Sequence, residues 1–403
     1  MNKLFTQFAV YLATVSLAVF FLGGAAFAEQ YEHSQKNDPL QGYINFALQN
    51  NPAVQAVQKN YEAAEKRVFG VGTLDYPKLD IGINTDKMEI EKNGIIGTAQ
   101  LMQMFNFPGT QGAFQNEARA MSKMQLAKVE KSKDSLTAQV KIKWFGLCAA
   151  KQKIKYMSEN IALLKQMESL ARAQVSAGGM FADLLMLQEE ILEMEYNLEA
   201  MSTEFLAMQE EFNAVLGRSG GDVEVADSLE IIKGGAEQSK REIPMLAMIN
   251  SENETYKAGA DMNKYMGYPM IGLGVQYEKK MFMAMLSVTL PIWRAKTESA
   301  LAEAQSRSEA SRLQFLAVQN MLVAERAMLK NTAENANKKI SLLQRQTELA
   351  ESSYKIALQN FTAGTGSLAD MFKVNLKLLD YKKKLIEAVQ EYNSAIAELE
   401  VIL

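Results

Sequence analysis

From residue 77 to 84 apolar and polar side chains alternate. Leu79, Ile81 and Ile83 face one way, and Lys78, Asp80, Gly82 and Asn84 the other, which is the period of a half-buried strand. Lys92-Asn93-Gly94 supplies a turn signal. Alternation resumes from Ala99 to Phe107, with Leu101, Phe105 and Phe107 against Gln100, Met102, Met104 and Asn106; Gln103 is the exception on the apolar side. On either side of this pair the period changes. A helix is predicted from about Leu40 and another from Pro52 toward Gly70, a first-turn proline being compatible with helix. Beyond Pro108-Gly109 no proline occurs before Gly178-Gly179. There Leu136, Val140, Leu147, Ala150, Ile154, Met157, Ile161 and Leu164 step by three and four, interrupted at Lys143, as in a coiled-coil seam. A helix of that extent would be roughly 100 Å long, more than a compact core needs. A further helix is expected from about Asp183 to Leu216.

The second half repeats this programme. Asn51-Pro52 and Tyr76-Pro77 return as Ile243-Pro244 and Tyr268-Pro269 at an offset of 192, and Ser176-Ala177-Gly178 with Asp183 returns as Thr362-Ala363-Gly364 with Asp370. The order is helix 244–266, strands near 269–278 and 281–290, a proline-free helix from about 294 to 361, a turn at Gly364-Thr365-Gly366, and a last helix from Leu368 to the end. In the long helix Leu329, Ala333, Ala336, Ile340, Leu343, Thr347, Ala350, Tyr354, Ala357 and Phe361 again step by three and four. The predicted organisation is a first repeat over 29–216, a glycine-rich joint over 217–242 and a second repeat over 243–403. The fold class expected is mainly α, internally duplicated, with a transmembrane β part of four strands per chain. Two hairpins cannot close a barrel, so four two-faced strands require strands from other copies to remove the open edges.

Residues 1–28 read as a removed secretory signal: Lys3, an apolar run from Phe8 to Phe21, then Ala26-Phe27-Ala28 before Glu29. Residues 29–39 read as a polar tail. Beyond the signal no apolar stretch reaches helix-spanning length, so a membrane could be crossed only by a closed β-barrel. A net charge of −4 argues against a nucleic-acid partner. One histidine, His33, and one cysteine, Cys148, leave little material for metal-dependent or nucleophilic catalysis, so no enzyme activity and no cofactor are expected. Methionine is abundant at 24 residues, and parity puts Met102, Met104, Met270, Met281, Met283 and Met285 on the polar side of the strands. Thioether sulfur suits Cu(I) or Ag(I); the alternative is adaptable apolar filler. Tyr76, Tyr268, Phe107 and Trp293 fall where strands meet helices, as interfacial aromatics would.

In this duplicated order, with strand ends Met104-Phe105-Asn106-Phe107-Pro108-Gly109 and Ser287-Val288-Thr289-Leu290-Pro291 and turns Ala177-Gly178 to Asp183 and Ala363-Gly364 to Asp370, the chain resembles the outer membrane efflux protein (TolC) family. The resemblance implies a homotrimer in the cell outer membrane, extending into the periplasm. Each protomer would give four strands to a twelve-stranded transmembrane barrel and its helices to a long periplasmic α-barrel. Such a trimer is the passive exit duct of a tripartite efflux pump, docked to a periplasmic adaptor (membrane fusion protein) and an inner-membrane transporter. The alternatives are the outlet of a type I protein secretion system and, in another class, a periplasmic coiled-coil adaptor or structural protein. The methionines suggest the copper and silver branch of the family. The resemblance places adaptor-docking tips at Ala177, Gly178, Gly179, Ala363, Gly364, Thr365 and Gly366. Its closed gate pairs an Asp, matched by Asp183, with a Tyr and an Arg, which are Phe361 and Gly366 here; of two further acidic positions only Asp370 is kept, the other being Lys373. Closure by packing of Phe361 and the tip helices is the expectation that remains.

Overall fold

The computed structural model describes residues 39–83, 97–176, 181–232, 242–278, 281–363 and 365–402. The expected signal peptide lies outside the described residues. The elements are α1 (Pro39–Asn50), α2 (Pro52–Gly70), β1 (Lys78–Ile83), β2 (Gly97–Phe105), α3 (Thr110–Ser176), α4 (Phe181–Leu216), α5 (Pro244–Tyr265), β3 (Met270–Glu278), β4 (Met281–Thr289), α6 (Ala295–Thr362) and α7 (Leu368–Leu399). The duplication is carried by the elements: α3 has 67 residues and α6 has 68, and each follows a hairpin and precedes a shorter helix. Observed ends fall within about two residues of those expected, the usual uncertainty of helix boundaries, except that the last helix, expected to reach the end of the chain, stops at Leu399.

The chain divides into two compact units. One gathers residues 52–135, 236–328 and 401–403 and contains the sheet, α2, α5 and the first parts of α3 and α6. All four strands form one antiparallel sheet in the order β1-β2-β3-β4. The exit from β2 into α3 turns at Gly109, whose φ of 94° is a left-handed value open to glycine. A Cβ there would also lie 2.8 Å from the Tyr265 ring.

The other unit gathers, among the described residues, 39–51, 136–232 and 329–400 and is mostly helical. The seams expected of the two long helices are its core: Leu136, Val140, Leu147, Leu164, Leu329, Ala333, Ala336, Ile340, Leu343 and Phe361 are all buried. Lys143 does not interrupt its seam, because the step there is four followed by three. Trp144 takes the inward position between Val140 and Leu147, while exposed Lys143 pairs with Glu211 at 2.5 Å. Tyr43 of α1 meets the Trp144 and Phe212 rings at centroid distances of 5.3 and 5.2 Å. A buried polar pair crosses from α3 to α7, the Asn375 amide donating to Asn160 Oδ1 at 2.7 Å.

The glycine-rich segment after α4 is tied to these helices as far as it is described. The Glu224 amide donates to the Tyr43 hydroxyl at 2.9 Å and the Leu229 amide to Gln152 Oε1 at 3.1 Å. Fully buried Asn393 accepts from the Ile232 amide at 3.0 Å and donates to the Glu230 carbonyl at 2.8 Å. Positive φ angles at Gly217, Gly220 and Gly221 let the chain turn off the helix end.

Candidate functional site

The register of the sheet assigns every strand residue to a face, because residues directly opposite each other across a ladder share one. Lys78, Met102, Gly274 and Met285 form one row, and Gln100, Gln276 and Met283 another. Thr98, Glu278 and Met281 form a third, Met104, Gly272 and Ser287 a fourth, and Met270 lies opposite Thr289. All six methionines expected to line a lumen are therefore on the same face as the charged and amide side chains.

The opposite face carries Leu79, Ile81, Ile83, Leu101, Ile271, Leu273, Val275, Tyr277, Phe282, Leu286 and Val288. These side chains are exposed in the protomer: Ile81 is 72%, Phe282 76% and Leu286 71% accessible. A contiguous apolar surface of this kind marks contact with membrane or protein. Gln103 is the polar exception, and backbone satisfies its amide, which donates to the Asp75 and Met104 carbonyls at 2.8 and 2.9 Å. The sheet is finite: β1 and β4 each have one edge without a partner among the described residues.

Aromatic side chains mark the border of the sheet. Phe107 stacks on Tyr268 with centroids 4.6 Å apart, Tyr265 lies 5.7 Å from Tyr268, and Tyr76 and Trp293 are 97% and 87% exposed. Phe107, Tyr265, Tyr268 and Tyr76 help line a cavity of about 820 Å³ beside the first turn of α3.

In the helical unit, the turn from α6 to α7 gathers on one carbonyl. Asn360 O accepts from the Thr365 and Gly366 amides at 3.0 and 2.9 Å and from the Thr365 hydroxyl at 3.2 Å. A Cβ on Gly366 would come within 3.0–3.1 Å of backbone atoms of Phe361 and Asn360, so a larger residue has no room. Ser367 caps α7 by accepting from the Ala369 amide, and exposed Asp370 sits in its first turn, where a carboxylate meets the positive end of the helix dipole. Ala363 and Thr365 are exposed. Ala177, Gly178, Gly179 and Gly364 lie outside the described residues; Asp183 is in the first turn of α4.

Phe361 is 3% exposed and packs in a cluster with Met157, Leu164, Leu187, Met194 and Met371. In the protomer it is thus core, whereas Asp370 is exposed. A contact that the sequence pattern did not single out joins α3 to α4 near their turn. Glu168 accepts from Gln188 at 2.6 Å and from Arg172 at 2.6 Å. These hydrogen bonds, first the one from Gln188, hold its carboxyl below the usual range. No group of three His, Cys, Asp or Glu side chains able to hold a metal occurs among the described residues, and no described helix is long and apolar enough to cross a membrane.

The family model of outer membrane efflux proteins matches residues 271–403. Among curated protein sequences nothing matches. Solved structures match over nearly the whole chain. CusC gives a TM-score of 0.78 at 16% identity, over 91% of this chain and 92% of its own. The outer membrane protein VceC of Vibrio cholerae gives 0.75 at 13%, over 90% and 95%. The MtrE outer membrane channel of Neisseria gonorrhoeae, in its open state, gives 0.74 at 14%, over 90% and 88%. Residues 271–403, within the second repeat, thus match the outer membrane efflux protein family model, and the whole chain has the fold these solved structures share.

Proposed function

We propose that this protein is the outer membrane exit channel of a tripartite efflux pump. It works as a homotrimer, its helices meeting a periplasmic adaptor and, through it, an inner-membrane transporter. The observation that carries this reading is the four-stranded sheet with one apolar face, one polar face and, among the described residues, two unpaired edges. Joining β4 of one copy to β1 of the next, three times, removes every edge and turns the apolar faces to lipid and the polar faces to a water-filled lumen. The duct is passive: it supplies a path and a lining, and the transporter supplies the energy. The exposed residues of the α6–α7 turn, Ala363 and Thr365, are the surface offered to the adaptor, together with Ala177, Gly178 and Gly179, which lie outside the described residues. Detergent extraction of outer membranes followed by mass measurement should give a trimer, and deletion of the gene should sensitise the host to exported toxins. Recovery as a soluble monomer would overturn the reading.

A further inference from the structure

On the polar face of the sheet, two successive β3 positions between β2 and β4 are glycines. Gly274 stands between Met102 and Met285, and Gly272 between Met104 and Ser287. The missing side chains leave a trough, and at Gly272 thioethers fill it. A Cβ built on Gly272 would lie 2.6 Å from Met104 Sδ and 3.4 Å from Met102 Sδ, so both sulfurs crowd into the space one side chain would occupy. Packing does not account for this. Methionine serves as filler in irregular cores, yet this face is not a core: Met102, Met104 and Met285 are half-buried, and Met281, at 62%, and Met283, at 41%, are exposed beside Glu278 and Gln276.

We infer that Met102 and Met104, whose sulfurs converge over Gly272, together with Met285, which shares a row with Met102 across Gly274, bind a soft monovalent cation, Cu(I) or Ag(I). Neutral thioether sulfur prefers such ions over hard divalent ones, and it needs no deprotonation to act as ligand. Met281 and Met283 continue the sulfur row along β4 on the same face. A few thioethers in series hold an ion weakly at each step, which suits passage, since a site in a duct must release what it binds. The inference rests on the reading that this face lines the lumen.

The test uses the detergent-extracted protein and Ag(I) itself as probe, with Zn(II) as the hard-ion control. All samples carry Cys148→Ala, because that thiol would otherwise compete for silver. Two variants are compared with this parent. Met102→Leu/Met104→Leu/Met285→Leu keeps volume and removes sulfur. Gly272→Ala keeps every sulfur and fills the trough. Each should weaken Ag(I) binding by about tenfold or more, with Zn(II) uptake unchanged, and X-ray absorption of the parent should show a sulfur-only shell around silver. Equal Ag(I) affinity in the triple-leucine variant and the parent, or a shell of nitrogen and oxygen, would overturn the site. Trimer mass is read on the same samples, so a failed duct reading shows as missing trimers and a failed metal reading as intact trimers that bind silver no differently. Should the triple variant not assemble, Met104→Leu alone, which removes the sulfur nearest Gly272, decides by the same affinity comparison.

Discussion

Two consecutive residues of β3 test which way the sheet faces. Val275 lies on the apolar face, between Leu101 of β2 and Ala284 of β4, and Gln276 lies on the polar face, between Gln100 and Met283. Both are near the middle of a nine-residue strand, at the depth where lipid tolerates charge least. An arginine at the mid-plane of an outer membrane barrel costs about 2–4 kcal/mol on the lipid side. Threefold repetition brings Val275→Arg to roughly 6–12 kcal/mol per trimer, comparable to the whole stability of a folded domain. Gln276→Arg meets water, with Gln100 opposite it and the Glu278 carboxylate in reach, and should cost under about 1 kcal/mol, as other surface changes do. The assay is the amount of trimer recovered from purified outer membranes, with periplasmic and aggregated fractions counted beside it. Val275→Arg should remove the trimer and Gln276→Arg should leave it. Trimer lost with Gln276→Arg and kept with Val275→Arg would invert the faces, and trimer kept in both would take the sheet out of the membrane.

Other consequences are measurable in the helical unit. Phe361→Ala should lower stability by about 3–5 kcal/mol in a melting experiment, the cost of emptying a buried aromatic site; melting unchanged from the parent would show that its packing contributes little. Asn375→Leu leaves the Asn160 amide without its buried partner and should cost about 1–3 kcal/mol, whereas replacing both should cost less than the two single changes together in a double-mutant cycle. Burial pushes the Cys148 thiol up to about 11 from 9.0, so a maleimide at neutral pH should label it only after denaturation. Because the folded value is the higher one, the stability linked to this thiol is intact below pH 9.0, declines as pH rises toward about 11, and should show no such decline in Cys148→Ala. Gly366→Leu should leave trimers in the membrane yet abolish export, measured as host resistance, because its side chain would displace the backbone of the α6–α7 turn.

What could be read from the sequence, and what could not, divides by the range of the interaction. Strand faces were legible because a period of two assigns them locally: Met102, Met104, Met270, Met281, Met283 and Met285 have the face that parity gave them, and ladder pairing across four strands agrees row by row. The long seams were legible for the same reason, except at Lys143. There a template stepping from Val140 by three reaches the lysine, although a step of four reaches Trp144, and only the partner surface, Tyr43 and Phe212, decides between them. Contacts between distant positions carry no local signature. Asn160 and Asn375 are 215 residues apart and look like ordinary surface polar residues in their helices until burial pairs them. The glycine-rich stretch after α4 reads as a joint from composition, but Asn393, Tyr43 and Gln152 bind its backbone as far as Ile232. Phe361 shows the limit most sharply, since resemblance assigns it to a gate while packing in the protomer makes it core. The two assignments call for different physics: a gate residue must change neighbours when the duct opens, and one held by Met157, Leu164 and Met371 can do so only if α3, α6 and α7 move with it. Opening would then shift packed helices as a group, rather than release a polar latch.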